Sequence, residues 1–587
     1  MMTKRTKTDK RFAERLDRLR MHLSRPDALL QLSALGLLSG VFAGAVIVLF
    51  RILVEGSQRG LLPAGLAENY EALPLTARVL LPVAGGLFIG LMFHFSARGV
   101  YVLGVAKVLE RMAYHQGYLS VRGFILQFFG AAIAIISGHS VGREGPHIYL
   151  GAATGSLLGQ YLTLPNNSIR TLVGCGAAAG IAASFNTPLA GVIFALEVVM
   201  MEYTLASFIP VMLAAVGATA VSYLAFGSEP AFLVPAHQFN SLGEIPLVVL
   251  LGVTAGAVAA LFIHLLQQVA KNASRFPFWQ RTTLAGLVVG VLGLWVPQVM
   301  GIGYDSVNSA LLGELGLLLL VSVLFAKLLA TVACVGLGVP GGMIGPVLFI
   351  GAMLGSSLAQ GVQRLLPDSG VDVGLYALLG MGAMMGSSLQ APLAALTAMM
   401  ELTHTPQIIM PGMLVIVIAS LTASELFRKE SLFITMLKAS GMDYSANPVL
   451  QTLRRIGVAS VMRERFQRPE RVMDRDAVDA LLKKEPEWLL IQGEERPIAL
   501  LRALDLARHV QALKEGQEDV QLIDLMEIPG QRYEVAPVHL QATLQEALDI
   551  LKDKGVDALF VERMTAPGIK RIYGVLTRDQ IESAYHY

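Results

Sequence analysis

Apolar residues fill long, uninterrupted stretches of this chain. No residue that ionises at pH 7 occurs in four of them, and each is long enough to cross a lipid bilayer: residues 28–50, 171–196, 328–363 and 373–400. The third stretch carries seven glycines between residues 336 and 355, together with Pro340 and Pro346. Such a composition predicts broken helices that meet inside the protein, not one straight helix.

The composition agrees with a polytopic membrane protein. The 587 residues are 54% hydrophobic and only 15% charged, and the mean hydropathy is +0.58, well outside the range of soluble globular proteins. The net charge of +2 is uneven, because residues 1–25 hold nine Lys or Arg against three acids. By the positive-inside rule the N-terminus is cytoplasmic. The apolar run that follows is too long for a cleavable signal, so we expect it to remain as a membrane helix.

Two cysteines, Cys175 and Cys334, lie in apolar, glycine-rich segments. We interpret them as buried thiols and expect neither a disulfide nor a metal site.

The pattern changes after about Asn447, where charged segments alternate with short apolar ones. Strands are predicted at 488–492, 498–501, 533–535, 558–562 and 572–577, and helices at 477–482, 504–513 and 544–554. These form two βαβ-like copies, which indicates one paired soluble module.

An internal repeat runs through the membrane part. The tripeptide Pro-Leu-Ala occurs at residues 188–190 and 392–394, and a glutamate follows nine residues after each proline, at Glu197 and Glu401. A Gly-Pro turn lies 42 residues before the first of these prolines and 46 residues before the second. Matched, Gly/Pro-interrupted segments in two halves of a membrane protein indicate a transport site between the halves.

The two Gly-Pro turns favour an anion. Pro146 and Pro346 each suit the first turn of a helix, where the missing N–H costs nothing. The glycines before them let an ion approach the backbone, and the free N–H groups and the positive end of the helix dipole then face that ion. Beside the first turn lies the charged pair Arg143 and Glu144. Ionisable residues at membrane depth are functional candidates by default.

The segments Gly142–Pro146 and Gly341–Pro346 resemble the CLC family of chloride channels and proton-coupled chloride antiporters, and the agreement continues through residues 178–197 and 378–403. The tail resembles a tandem cystathionine-β-synthase (CBS) pair, which is common in that family. The resemblance implies an all-α polytopic membrane protein, a CLC-type inverted repeat with broken, re-entrant helices, followed by a cytoplasmic α/β CBS pair.

The resemblance also sets expectations for organisation. We expect a homodimer with a separate pore in each subunit, located in the cell membrane with both termini cytoplasmic. The expected divisions are a basic N-terminal segment at 1–27, an anion-conducting domain at 28–445 with halves at about 28–225 and 240–440, and a tail at 446–587 with copies at about 457–513 and 522–587.

Residue roles follow from the same resemblance. Glu144 corresponds to the gating glutamate, whose carboxylate competes with an anion for one site and withdraws when protonated. Arg143 and Gly145 flank it as anion-binding positions. The backbone amides of Met343 and Ile344 are expected to face the central anion.

Three departures from the family pattern alter the functional prediction. The usual serine and tyrosine ligands of the central anion align with Leu103 and Phe433, so both hydroxyl groups are missing and a weak or differently selective central site is expected. Many antiporters carry a second glutamate where this chain has Val198. Glu202 lies four residues later, one helical turn away on the same face, and is the candidate substitute.

We therefore predict membrane transport of a small inorganic anion, chloride first, that is channel-like or weakly proton-coupled. The alternative is a chloride/proton antiporter that uses Glu144 with Glu202. A remote alternative is a membrane serine hydrolase at Ser140, because Gly138–Gly142 fits Gly-x-Ser-x-Gly, although that motif needs a preceding strand. We expect no enzymatic activity and no nucleic-acid partner.

The nucleotide-holding pattern of CBS pairs is only partly present. Gly574 and Thr577 fit it, but Gln580 stands where an aspartate is expected, and in the first copy only Asp505 fits. A dimerising regulatory tail is the favoured interpretation, and a bound adenine nucleotide the less favoured one. The transported anion is the only other bound group expected.

Overall fold

The computed structural model describes residue 23 and residues 28–96, 103–228, 232, 242–367, 370–403, 408–442, 448–493, 496–515, 521–566 and 569–584. The predicted basic segment at 1–27 therefore lies almost entirely outside the described residues. The chain divides into two compact units, a membrane unit of residues 29–162 and 169–444 and a second unit formed mainly by residues 445–587. Among the described residues, eight helices are long and apolar enough to cross a membrane.

The membrane unit is helical, as the apolar runs predict. Its described α-helices, in chain order, are α1 (Leu29–Leu61), α2 (Leu75–Ser96), α3 (Val105–Tyr114), α4 (Val121–Ile136), α5 (Glu144–Tyr161), α6 (Asn166–Phe185), α7 (Pro188–Phe194), α8 (Leu205–Phe226), α9 (Ile245–Ala273), α10 (Phe278–Trp295), α11 (Tyr304–Leu311), α12 (Leu317–Gly336), α13 (Ile344–Leu365), α14 (Val373–Leu389), α15 (Pro392–Thr403), α16 (Ile409–Leu421) and α17 (Leu432–Ala439). Short π-helical turns follow α7 and α16, at Ala195–Met200 and Thr422–Leu426. Helices α1–α8 correspond in order to α9–α16.

The glycine-rich stretch at 328–363 is broken, as predicted. Helix α12 ends at Gly336 and α13 begins at Ile344. Helix α5 begins in the same way after α4. The loops before α5 and α13 meet, because Gly142 and Gly342 exchange two backbone hydrogen bonds of 2.8 and 2.7 Å. The two helix starts of the repeat are therefore held side by side.

Glycines bring the helices that follow these turns into backbone contact. A Cβ added at Gly176 of α6 would lie 1.9 Å from the carbonyl oxygen of Gly151 in α5. In the second half, a Cβ added at Gly355 of α13 would lie 1.8 Å from the carbonyl oxygen of Tyr376 in α14. Such close packing of small residues stabilises helix pairs within a membrane. These contacts hold α5 against α6 in the first half and α13 against α14 in the second.

The C-terminal unit is α/β. Its elements are α18 (Pro448–Arg455), α19 (Val458–Val461), β1 (Phe466–Gln467), β2 (Val472–Asp474), α20 (Arg475–Leu482), β3 (Trp488–Gln492), β4 (Pro497–Arg502), α21 (Ala503–Glu515), β5 (Leu522–Asp524), β6 (Arg532–His539), α22 (Leu544–Lys554), β7 (Ala558–Ala566), β8 (Ile569–Thr577) and α23 (Arg578–Ser583). Every strand and helix predicted for this region is present. The six-stranded sheet has the order β1-β3-β4-β6-β7-β8, and β2 pairs with β5.

The sheet is continuous across the two βαβ-like copies, which the sequence did not predict. Strand β4 of the first copy pairs antiparallel with β6 of the second, from Ala499 opposite Glu534 to Leu501 opposite Arg532. In the second copy Thr577 and Gln580 form a capping box at the start of α23. Gln580, which replaces the aspartate of the nucleotide pattern, thus has a structural task.

We predict that alanine at Gly176 or Gly355 destabilises the membrane unit. Each added methyl group meets a carbonyl oxygen at less than van der Waals distance, and overpacking of this kind costs about 1–3 kcal/mol. The measurement is thermal unfolding of the detergent-purified protein, together with its elution profile. Gly56→Ala in α1 is the matched control, because nothing lies within 4 Å of its added Cβ. Unchanged melting temperatures for both core variants would contradict the packing described here.

Candidate functional site

The site forms where the N-termini of α5 and α13 meet. Arg143 and Met343 are the N-cap residues of these helices, and neither side chain caps its helix with a hydrogen bond. The first N–H groups of both helices, with the positive ends of their dipoles, therefore attract negative charge.

Glu144 supplies that negative charge. It is the first residue of α5 and is fully buried. Its Oε2 accepts a hydrogen bond of 3.0 Å from the backbone N–H of Gly345, in the first turn of α13. The carboxylate of one half therefore lies at a helix start of the other half, where the free N–H groups and the dipole attract negative charge.

Tyr304 is a second partner of the same carboxylate. Its hydroxyl donates to Oε1 of Glu144, and its backbone N–H donates to Oε2 of Glu68 at 3.1 Å. Tyr304 is the first residue of α11. It was not predicted from the sequence, because it lies 160 residues from Glu144 and no motif marks it.

Glu68 lies in the loop between α1 and α2. Burial and the neighbouring Asp305 carboxylate raise the pKa of Glu68 to about 7. The group that holds the start of α11 therefore changes its charge near neutral pH.

Two buried cations surround these acids. The guanidinium of Arg143 lies 3.4 Å from Oε1 of Glu55 and 5.0 Å from the ring centre of Tyr304. The amine of Lys327, in α12, is fully buried. It donates to three carbonyl oxygens of the segment before α11, those of Val299, Gly301 and Ile302, at 2.9–3.2 Å.

A cavity of about 80 Å³ adjoins the two helix starts. It brings together the two residues that the sequence aligned with missing hydroxyl ligands: its lining includes Leu103, Gly145, Gly341, Met343, Phe433 and Met436. The side chain of Ile344 faces another, apolar cavity, together with Phe185 and Leu348. Only the backbone N–H of Ile344 is therefore available to bind an anion.

The glutamates of the two Pro-Leu-Ala segments are exchanged between the halves. Glu197 accepts from the backbone N–H groups of Leu393 and Ala394, at 3.2 and 2.8 Å, at the start of α15. In return, Glu401 accepts from two N–H groups at the start of α7, at 2.9 and 2.7 Å. Each carboxylate caps the helix of the opposite half, a pairing that the repeat alone did not predict.

The expectation that Glu202 lies one helical turn beyond Val198 is wrong. The π-helical turn ends at Met200, and Met201 has the left-handed φ of 53°. The chain has left the helix before Glu202, whose carboxylate accepts from the hydroxyl of Ser207. Val198 itself is buried.

Comparison with known proteins gives one consistent result. The family model described as voltage gated chloride channel matches residues 85–424, which is more than half of the chain. The chain belongs to this family. This is the CLC family that the sequence motifs resemble.

The relatives include both functional kinds of CLC protein. A protein named "putative chloride channel protein ClcB-like" from Ralstonia nicotianae is 36% identical over 366 residues, which are 61% of this chain and 85% of that protein. The "H(+)/Cl(-) exchange transporter ClcA" of Vibrio vulnificus is 31% identical over 401 residues, 66% of this chain and 85% of that protein. A crystal structure of a slow cyanobacterial Cl⁻/H⁺ antiporter matches with a TM-score of 0.61 and 21% identity, over 70% of this chain and 97% of that one.

Membership of the CLC family means that this is a multi-pass membrane protein of a family that transports chloride. Its membrane unit has the CLC fold. Around Ser140, a helix (α4) and not a strand precedes the Gly-x-Ser-x-Gly segment, and the hydroxyl of Ser140 lies 3.1 Å from that of Thr331. This is not the strand–turn–helix setting of a nucleophile elbow.

Proposed function

We propose that this protein conducts chloride across the cell membrane through a CLC-type pore gated by Glu144, without obligatory proton exchange. The observation that carries the proposal is the position of the Glu144 carboxylate, which accepts from the Gly345 N–H at the start of α13. An ionised carboxylate and an anion repel one another in one desolvated site, so the pore is blocked while Glu144 stays there. Protonation of Glu144 removes this repulsion and weakens the attraction between its carboxyl group and the start of α13, so that an anion can take its place.

The surroundings of Val198 support transport without obligatory exchange. An apolar side chain relays no protons, and the adjacent Glu197 is engaged by two backbone N–H groups of α15. Glu202 lies beyond the end of the helix and bonds to Ser207. Neither glutamate therefore takes the place of the carboxylate that is missing at Val198 on the helix.

The second candidate is a chloride/proton antiporter. It is favoured by the Vibrio relative, which is named an exchange transporter. In this case Glu144 is the external proton site, and the internal one, predicted at Glu202, would have to act from beyond the end of the helix.

The cavity beside Leu103 and Phe433 supports a central anion site with unusual chemistry. Of the residues aligned with anion ligands, Gly145 and Met343 line it, whereas the two side chains that replace the usual hydroxyls are apolar. An anion there is stabilised mainly by backbone groups and helix dipoles, without the two directed hydrogen bonds that hydroxyl groups would add. We propose weak binding and relaxed selectivity at this position.

Assembly, orientation and the role of the tail complete the proposal. The protein acts as a homodimer with one pore in each subunit and with both termini in the cytoplasm. The C-terminal unit is a CBS-like regulatory tail that assists dimerisation. The capping role of Gln580 supports the preference for a tail without bound nucleotide.

We predict that Glu144→Ala removes most of the dependence of anion flux on external pH. Without the carboxylate nothing blocks the site at alkaline pH, so the flux there should stay within about twofold of the flux at acidic pH. The measurement is chloride efflux from proteoliposomes. Glu244→Gln is the matched control, since Glu244 is also a buried carboxylate that accepts from a tyrosine hydroxyl. A steep, wild-type pH profile in Glu144→Ala would refute the gate.

Proton movement separates the two candidate functions. A chloride gradient imposed across proteoliposomes is expected to drive chloride flux without a matching change of pH in a weakly buffered medium, because no mobile carboxylate stands at Val198. A protonophore added at the end should let protons follow the membrane potential set up by chloride, which shows that the vesicles are sealed and that a proton flux would have been detected. Proton transport in the direction opposite to chloride would decide for the antiporter.

Restoring the two hydroxyl groups should strengthen anion binding. A well-aligned hydrogen bond to a charged partner contributes about 1.5–3 kcal/mol, so the double variant Leu103→Ser, Phe433→Tyr is expected to bind chloride at least about tenfold more tightly. Isothermal titration calorimetry on the purified protein measures this. Phe427→Tyr, at an exposed phenylalanine, is the control. Equal affinities for the double variant and the wild type would exclude the cavity as the anion site.

A further inference from the structure

Tyr304 lies beside the proposed gate, Glu144, and is held by both hydrogen bonds and ring contacts. Its hydroxyl donates to Oε1 of Glu144 and its N–H to Glu68. Its ring packs against Phe232, with ring centres 4.8 Å apart, and against Phe185 at 6.3 Å. The Arg143 guanidinium lies over the same ring. A tyrosine that only fills space requires none of the polar contacts.

The chain before Tyr304 fixes the position of its hydroxyl. Gly301 and Gly303 adopt left-handed φ angles of 64° and 84°, a conformation that glycine accepts readily. Lys327 binds the carbonyl oxygens of this segment with a fully buried amine. The start of α11 is therefore pinned independently of Glu144, and the hydroxyl is presented to the gate without much loss of conformational freedom.

The Gly345 N–H and the Tyr304 hydroxyl both donate to Glu144, but they stabilise different occupants of the site. The Gly345 N–H belongs to the start of α13 and can donate either to the carboxylate or to an anion that replaces it. The hydroxyl of Tyr304 points at the second oxygen of the same carboxylate. A hydrogen bond to an ionised acceptor is about twice as strong as one to a neutral acceptor, so this contact favours the ionised, blocking state over the protonated state.

We propose that Tyr304 is a latch: a positioning residue whose hydroxyl holds the Glu144 carboxylate in the blocking position and so sets the external pH at which the pore opens. The inference rests on the gating role proposed for Glu144. Other charges facing Glu144 are Arg143, at the start of its own helix, and Lys327 from α12. Both remain in place when only the tyrosine hydroxyl is removed.

The test is Tyr304→Phe in proteoliposomes, with chloride efflux measured against external pH. Losing one hydrogen bond to the ionised carboxylate weakens the blocked state by about tenfold. Blocking competes with protonation, so a weaker latch leaves Glu144 easier to protonate, and the midpoint of the pH–flux curve should move about one unit upward. Flux at alkaline pH should rise correspondingly. An unchanged midpoint would overturn the latch.

Matched variants show whether the Tyr304 hydroxyl itself sets the midpoint. Tyr376→Phe also removes a buried tyrosine hydroxyl from a carboxylate, that of Glu244, and should leave the midpoint unchanged. Because Glu68 titrates near neutral pH, the shift must persist in a Glu68→Gln background, where the side-chain amide oxygen still accepts from the Tyr304 N–H. Loss of the shift there would assign the effect to Glu68 and contradict the latch.

The Glu144→Ala background distinguishes failure of the latch from failure of the gate. With no carboxylate to hold, Tyr304→Phe should add nothing to the flux of Glu144→Ala. If it raises that flux as much as in the wild type, Tyr304 acts as a plug and the latch is wrong. If Glu144→Ala itself keeps the wild-type pH profile, the gate fails, and the latch with it. A normal gate with an inert Tyr304→Phe refutes the latch alone.

Discussion

Two helix N-termini that face each other across a buried gap impose the central constraint on this protein. The loops before α5 and α13 are joined by the paired hydrogen bonds of Gly142 and Gly342, and neither N-cap side chain neutralises its own helix. Two positive dipole ends at this distance repel each other unless negative charge lies between them. The Glu144 carboxylate supplies that charge at the start of α13, and in the proposed mechanism transport arises from its exchange with an anion.

The rest of the membrane unit keeps those two ends in place. Glycines allow α5 and α6, and likewise α13 and α14, to touch backbone to backbone. Glu197 and Glu401 each cap the short helix of the opposite half, so neither half completes its own helix starts alone. Reciprocal contacts of this kind follow from a two-fold relation between the repeats. They also explain why a glutamate recurs at a fixed distance from each Pro-Leu-Ala segment.

The sequence was informative where function depends on local backbone chemistry. The Gly-Pro turns, the break between α12 and α13 and the strands of the tail follow from glycine, proline and apolar periodicity. Partners distant in the chain were not predictable. Tyr304 reaches Glu144 across 160 residues with no motif, and the joining of β4 to β6 depends on edges that alternation does not identify. The helical position expected for Glu202 failed because residue spacing indicates a face only while the helix continues, and Met201 ends it.

The polar groups are unevenly distributed around the pathway. Around Glu144 lie a tyrosine hydroxyl, a backbone N–H and buried cations, whereas the adjoining cavity adds the apolar Leu103 and Phe433. An anion that leaves the gate for this cavity exchanges directed hydrogen bonds for helix dipoles and sparse backbone donors. Weak binding there does not prevent conduction, because an ion must also leave each site that it enters. Under the proposed gating mechanism, discrimination depends on how readily an anion displaces the Glu144 carboxylate from the α13 start, so that one residue governs both the opening of the pore and much of its selectivity.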